Sequence, residues 1–150
     1  MKLRTLLASV TGLALSGAVF ATPERTISLT VDNIQQSSGV LLFAVYDSEQ
    51  GLASRKPSSV FFKPVLASTD DSSQSLQVTV PLSKSSSGEM AVMVFQDLDN
   101  DQTMDKNLLG IPLEPYGFTN NPQKLGPPDW EDMKVNLTDE NMALNITLKH

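Results

Sequence analysis

The apolar residues of this chain fall in short runs that alternate with polar ones, and a period of two restricts such runs to β-structure. Ile27, Leu29 and Val31 alternate with Thr26, Ser28 and Thr30, and Leu76, Val78 and Val80 alternate with Gln77 and Thr79. Met133, Val135 and Leu137 repeat the pattern, as do Leu144, Ile146 and Leu148. Successive side chains on a strand point to opposite faces, so each run offers one face to a core and one to water. The run 40–46 is apolar almost throughout, as suits a central strand covered on both faces, and 90–95 is a second continuous run. Residues 60–66 hold Phe61 and Phe62 but also Pro64, which cannot donate to a ladder and points to an edge or a bulge.

Turn residues separate most of these runs: Ser37-Ser38-Gly39, Asp70-Asp71-Ser72-Ser73, residues 83–88, and Thr138-Asp139-Glu140-Asn141. No segment carries a helical period of useful length. About seven short strands in one compact chain predict an all-β fold, an antiparallel two-sheet sandwich of immunoglobulin-like or transthyretin-like type, with one long ordered loop.

The first 21 residues read as a removable signal peptide. Lys2 and Arg4 precede an apolar run, 6–20, that is too short to span a bilayer and is followed by polar chain. The expected organisation is therefore a leader, 1–21, and a single domain, 22–150, in the periplasm or outside the cell, with no membrane span. The chain has 17 acidic and 11 basic residues; losing the leader removes two of the basic ones and takes the net charge from −6 to −8. Such a chain has no electrostatic footprint for nucleic acid or anionic lipid. It contains no Cys, so no disulfide supports the fold.

The densest chemistry lies in Asp97-Leu98-Asp99-Asn100-Asp101-Gln102-Thr103-Met104-Asp105. Four like charges repel one another unless something positive sits between them. The spacing follows the first nine positions of an oxygen-ligand calcium loop, with Asp97, Asp99 and Asp101 at positions one, three and five. The Thr103 carbonyl falls at seven and Asp105 at nine. Carboxylates are hard ligands that suit Ca²⁺, with magnesium less suited and an affinity on the order of 10⁻⁴–10⁻³ M. Two departures set it apart from the helix–loop–helix pattern: Gln102 stands where Gly makes the sharp turn, and Leu108 where a bidentate Glu completes the shell. Asn107 or Glu114, folding back, would fill that place. The bland alternative is an acidic solvated turn without an ion.

About 36 residues separate Phe95 from Asp132 without a strand or helix signature, a length that marks a functional excursion or misread elements. Tyr116, Phe118, Asn120, Asn121 and Trp130 are its candidate binding-loop residues. For Trp130, Tyr116 and Phe118 a packing role competes with an exposed ligand-stacking one. Glu114 with Asp129, Glu131 or Asp132 would make the carboxylate pair of a small hydrolase. Phe43, Phe62 and Phe95 would line the apolar pocket of a carrier. His150 is the only histidine, and neither a Cys nor a nucleophile-elbow motif is present, so no familiar catalytic constellation is recognisable.

Together these stretches carry a resemblance. The aspartate loop is followed by Gly110-Ile111-Pro112, Glu114, Tyr116-Gly117-Phe118-Thr119-Asn120-Asn121, Gly126-Pro127-Pro128 and Trp130-Glu131-Asp132. The pattern resembles a family of small exported bacterial proteins of unknown function, with a D-x-N-x-N-G-type loop, G-x-P-x-E-x-Y-G-F-S-N-N and G-P-P-x-F-x-D-A. This chain departs from it at Gln102, Thr119, Trp130 and Met133. The resemblance implies a β-sandwich exported by Gram-negative bacteria and supplies no activity. The expected function is a calcium-binding module whose 97–131 loop faces an envelope protein, a glycan or a small ligand.

Overall fold

The computed structural model describes residues 26–35, 39–65, 74–81, 88–137 and 141–150. The expected leader and parts of the turns at 37–38, 70–73, 83–87 and 138–140 lie outside the described residues. Among the described residues, eight strands and two short helices follow in the order β1 (Thr26–Ile34), β2 (Val40–Tyr46), α1 (Glu49–Ala53), β3 (Ser59–Pro64), β4 (Gln74–Pro81), β5 (Glu89–Asp97), β6 (Tyr116–Phe118), α2 (Trp130–Met133), β7 (Val135–Asn136) and β8 (Asn141–Thr147).

They form two sheets. One has the order β4-β1-β8; the other runs β3-β2-β5-β6, with β7 also paired to β5. Ile27, Leu29 and Val31 of β1, Val78 and Val80 of β4 and Ile146 of β8 meet Leu41, Phe43 and Val45 of β2 and Met90, Val92 and Val94 of β5 in one buried cluster. This is the sandwich that the alternation implies. Phe43 stacks on Phe61 of β3, with ring centroids 4.6 Å apart. β3, which ends at Pro64, lies at an edge.

Three differences from the sequence reading have physical causes. The β1–β8 pairing is parallel, Thr26 facing Asn141 through to Asp32 facing Thr147, whereas the other ladders are antiparallel. Alternation marks which face of a strand is buried but carries nothing about the direction of its neighbour. The strand expected around Met133 is shorter: Met133 closes α2, and only Val135–Asn136 pairs, opposite Glu89 and Met90. The long excursion also contains β6 and α2. A strand of three residues centred on Gly117 and a helix of four are too brief to show a period. Gly117 is required by contact, since a Cβ there would lie 2.6 Å from Ile146 Cγ2.

The excursion covers the outer face of the larger sheet. On β5 the residues at 90, 92 and 94 face the sandwich core, so those at 91, 93, 95 and 97 point the other way. There Trp130 and Met133 pack with Ala91 and Tyr46 in a second buried cluster, joined by Ala44, Leu52, Met93 and Phe118. β2 and β5 are apolar on both faces because both faces are covered.

Candidate functional site

Asp97 is the last residue of β5 and lies opposite Val40, the first of β2. The chain is tight here: at Gly39 (φ +86°) a Cβ would stand 2.2 Å from the Asp97 carbonyl oxygen, so only glycine fits. Beside it, the buried Gln96 side chain donates to the Gln35 carbonyl and accepts from the Gln35 N–H at 2.9 Å. These contacts fix the strand end from which the aspartate loop departs.

Asp97 is only 1% exposed, and its carboxylate organises the loop that follows. Oδ1 accepts from Asn100 N at 2.7 Å and Asp101 N at 3.2 Å, and Oδ2 from Gln102 N at 2.8 Å. To offer those N–H groups the chain turns left-handed at Asn100 (φ 66°) and Gln102 (φ 64°). Asn tolerates that region; Gln pays for it, which is the cost foreseen where glycine is missing. Two smaller turns follow, Asp99 Oδ1 accepting from Asp101 N at 3.2 Å and Asp101 Oδ1 from Thr103 N at 2.7 Å.

Glu114 closes the loop from the far side. It is 5% exposed; Oε1 accepts from Leu98 N at 2.8 Å and Oε2 from Asp105 N at 3.2 Å, so one side chain ties both ends of the aspartate run. Oxygens of Asp97, Asp99 and Glu114 lie within 4.8 Å of one another. No lysine, arginine or histidine among the described residues forms an ion pair with them. The expected ligands therefore divide. Asp97, Asp99 and Glu114 converge. Asp101 and Asp105 are exposed and outside that cluster, Asp101 serving as a turn acceptor, and Thr103 is exposed. The Asn107 Oδ1 accepts from Leu109 N and Ile111 N and shapes the next turn.

The binding-loop candidates hold the excursion down. Tyr116 and Phe118 stand on β6 in an edge-to-face pair, ring centroids 5.7 Å apart. Trp130 is buried against β5. Asn120 and Asn121 both take left-handed backbone (φ 64° and 47°). The Asn120 amide donates to the Lys134 carbonyl at 2.8 Å; Asn121 donates to the Asn145 carbonyl at 3.1 Å and accepts from Thr147 N at 2.8 Å. Thr119, one of the departures from the resembled pattern, is buried and gives its hydroxyl to the Met133 carbonyl at 2.6 Å while accepting from Val92 N. Its signal was the run Thr-Asn-Asn itself: three short polar side chains suited to bonding backbone.

The carboxylates weighed with Glu114 for hydrolysis are engaged around α2. Asp129 and Asp132 cap α2 reciprocally, both pair with Lys124, and Glu131 pairs with Lys134. The Lys124 ammonium and the Asp129 N–H hold the Asp132 carboxyl below the usual carboxylate range. Phe43 is fully buried and Phe62 half exposed. Neither of two surface hollows, one along Thr26–Ser28 of β1 and one between Asn121 and Lys149, includes any of the three phenylalanines.

The architecture defines a class: a two-sheet β-sandwich whose outer face is sealed by an excursion rooted in clustered carboxylates. The chain belongs to the family described as "Uncharacterized protein conserved in bacteria (DUF2141)", whose model matches residues 29–145. No curated protein and no solved structure matches it.

Proposed function

We propose that the chain is an exported calcium-binding module in which the ion, held by Asp97, Asp99 and Glu114, orders the 97–131 excursion for a partner. One observation carries the reading. Three carboxylates converge within 4.8 Å, two of them buried, and no cation among the described residues neutralises them. Buried charge is costly unless paired, and a divalent ion is the partner that oxygen-only ligands fit. An ion that binds only the folded loop stabilises it by mass action and lowers the entropy lost when a partner docks. The partner is an envelope protein, a glycan or a small ligand met in the periplasm or outside the cell.

A second reading is favoured by the five backbone N–H groups that Asp97 and Glu114 already satisfy. In it the carboxylates are loop caps that need no ion. Thermal melting in millimolar calcium, in magnesium and in chelator separates the two. A rise selective for calcium supports the metal; superimposable curves leave the caps alone.

A further inference from the structure

The larger sheet ends in an open edge at β3. Among the described residues β3 pairs only with β2, so its far side is free. Val65 N donates to the Gly39 carbonyl, and counting by twos along the antiparallel register makes Lys63 and Phe61 the residues that bond β2. The N–H and C=O groups of Val60 and Phe62 therefore point away from the sheet, and Pro64, which has no N–H, ends the usable edge. Phe61 stacks on Phe43 in the core, so Val60 and Phe62 lie on the outer face, where they are 51% and 50% exposed. They carry the apolar outer face past Ala44, which Trp130 and Met133 help to cover, to the rim where that cover ends.

We propose that this edge takes up an extended acidic segment of a partner protein by strand addition; the calcium reading is not needed for it. The backbone selects an extended chain, because outward-facing N–H and C=O groups at two alternate residues are what an added strand satisfies. Charge selects its chemistry. From Gln50 to Val65 the sequence holds Arg55, Lys56 and Lys63 and no carboxylate, on a chain whose net charge is −6. All three cations are exposed, and none forms an ion pair among the described residues. In an incoming strand, apolar side chains at alternate positions would lie beside Val60 and Phe62, and acids between them would share the face of Lys63. Opposite charge across such a contact speeds encounter and suppresses wrong partners. A second copy is among the wrong ones: pairing β3 with β3 gathers these cations from both chains along one seam, with no carboxylate from 50–65 of either.

The test is binding of a short labelled peptide that alternates valine with glutamate, and of its counterpart with lysine for glutamate, to the purified protein. Fluorescence anisotropy gives the affinities, and NMR-detected amide exchange gives the place. Expected is saturable binding of the acidic peptide, at least about tenfold tighter than the basic one. Bound peptide should slow exchange at Val60 and Phe62 and leave Phe61 and Lys63, already bonded to β2, unchanged. Lys63→Glu should cut the acidic peptide's advantage at least about fivefold. Phe62→Pro removes an outward N–H and no bond to β2, so it should abolish binding and keep a cooperative melt. Lys106→Glu, at an exposed cation outside β3, should bind as the parent does. If Phe62→Pro does not fold, the exchange pattern and Lys63→Glu decide. Equal affinity for the two peptides, no binding of the acidic one at about 1 mM, unchanged exchange at 60 and 62, or an equal loss in Lys106→Glu would overturn the proposal. So would self-association without peptide that protects the same two amides, which would give the edge to a second copy.

Discussion

Asp99→Asn should move stability in opposite directions with and without calcium. Asp99 is the exposed member of the cluster, and its one hydrogen bond uses Oδ1, an atom that asparagine keeps. The substitution therefore removes charge and little else. Its oxygen lies within 4.8 Å of one on Asp97 and one on Glu114. At the dielectric of water each such repulsion is worth about 0.9 kcal/mol, and screening at physiological salt leaves roughly 1 kcal/mol for the two together. In chelator the variant should thus melt about 4 °C above the parent for a domain of this size. Calcium at about 10 mM and a dissociation constant of 10⁻⁴–10⁻³ M stabilises the parent by roughly 1.4–2.7 kcal/mol, or about 6–11 °C. The variant, short of one anionic ligand, should gain well under half of that, so at a dissociation constant near 10⁻⁴ M the order of the two melting temperatures inverts. Circular dichroism melts of both proteins in the two buffers are sufficient. A variant that melts below the parent in chelator would refute the repulsion argument, and equal calcium shifts would remove Asp99 from the ligand set.

Three further outcomes follow from the same geometry. Gln102→Gly should stabilise the protein by about 0.5–1 kcal/mol, because glycine adopts φ 64° without strain; a loss in chemical denaturation would show that the Gln102 side chain contributes more than its backbone costs. Asn121→Ala forfeits two bonds to the edge of β8 and leaves alanine in left-handed backbone, so it should cost about 2–3 kcal/mol in the same assay. Asp132 has a folded pKa below its unfolded value, so its contribution is complete above the ordinary carboxylate range and fades as pH falls through the lowered value. Carboxyl-carbon NMR should place its midpoint below that of an ordinary aspartate, and Lys124→Met should move it up.

Much of the scaffold was legible because period-two runs such as 27–31 and 76–80 admit one burial pattern, and the continuous runs at 40–46 and 90–95 foretold sheets covered twice. What covers the outer face was not. Trp130 and Met133 are scattered apolar residues whose partners, Tyr46 and Ala91, lie far away in sequence. The carboxylate loop was legible as a cluster but not in its membership. Spacing treats Asp97, Asp99, Asp101 and Asp105 as equals, whereas convergence depends on which lies at the end of a central strand and on Glu114 returning from beyond the next turn. The Thr119–Asn121 run was visible as a motif. Its bonds to β5, β8 and the end of α2 depend on the left-handed backbone at 120 and 121, which composition permits without requiring.

The parallel pairing of β1 with β8 has a consequence for timing. β1 is the middle strand of its sheet, yet one of its two neighbours is the last strand of the chain, and Asn33 reaches the Leu148 carbonyl across 115 residues of sequence. A nascent chain emerging from its first residue holds β1 and β4 as a half-finished ladder until residues 141–147 arrive. Closing so large a loop is slow, which places this fold toward the sluggish end of the range for single domains. For that interval the hydrogen-bonding edge of β1 that β8 fills stays open to pairing with any other extended chain, and the apolar face carrying Ile27, Leu29 and Val31 makes such pairing stick, so this is a window in which the protein needs shielding from its neighbours.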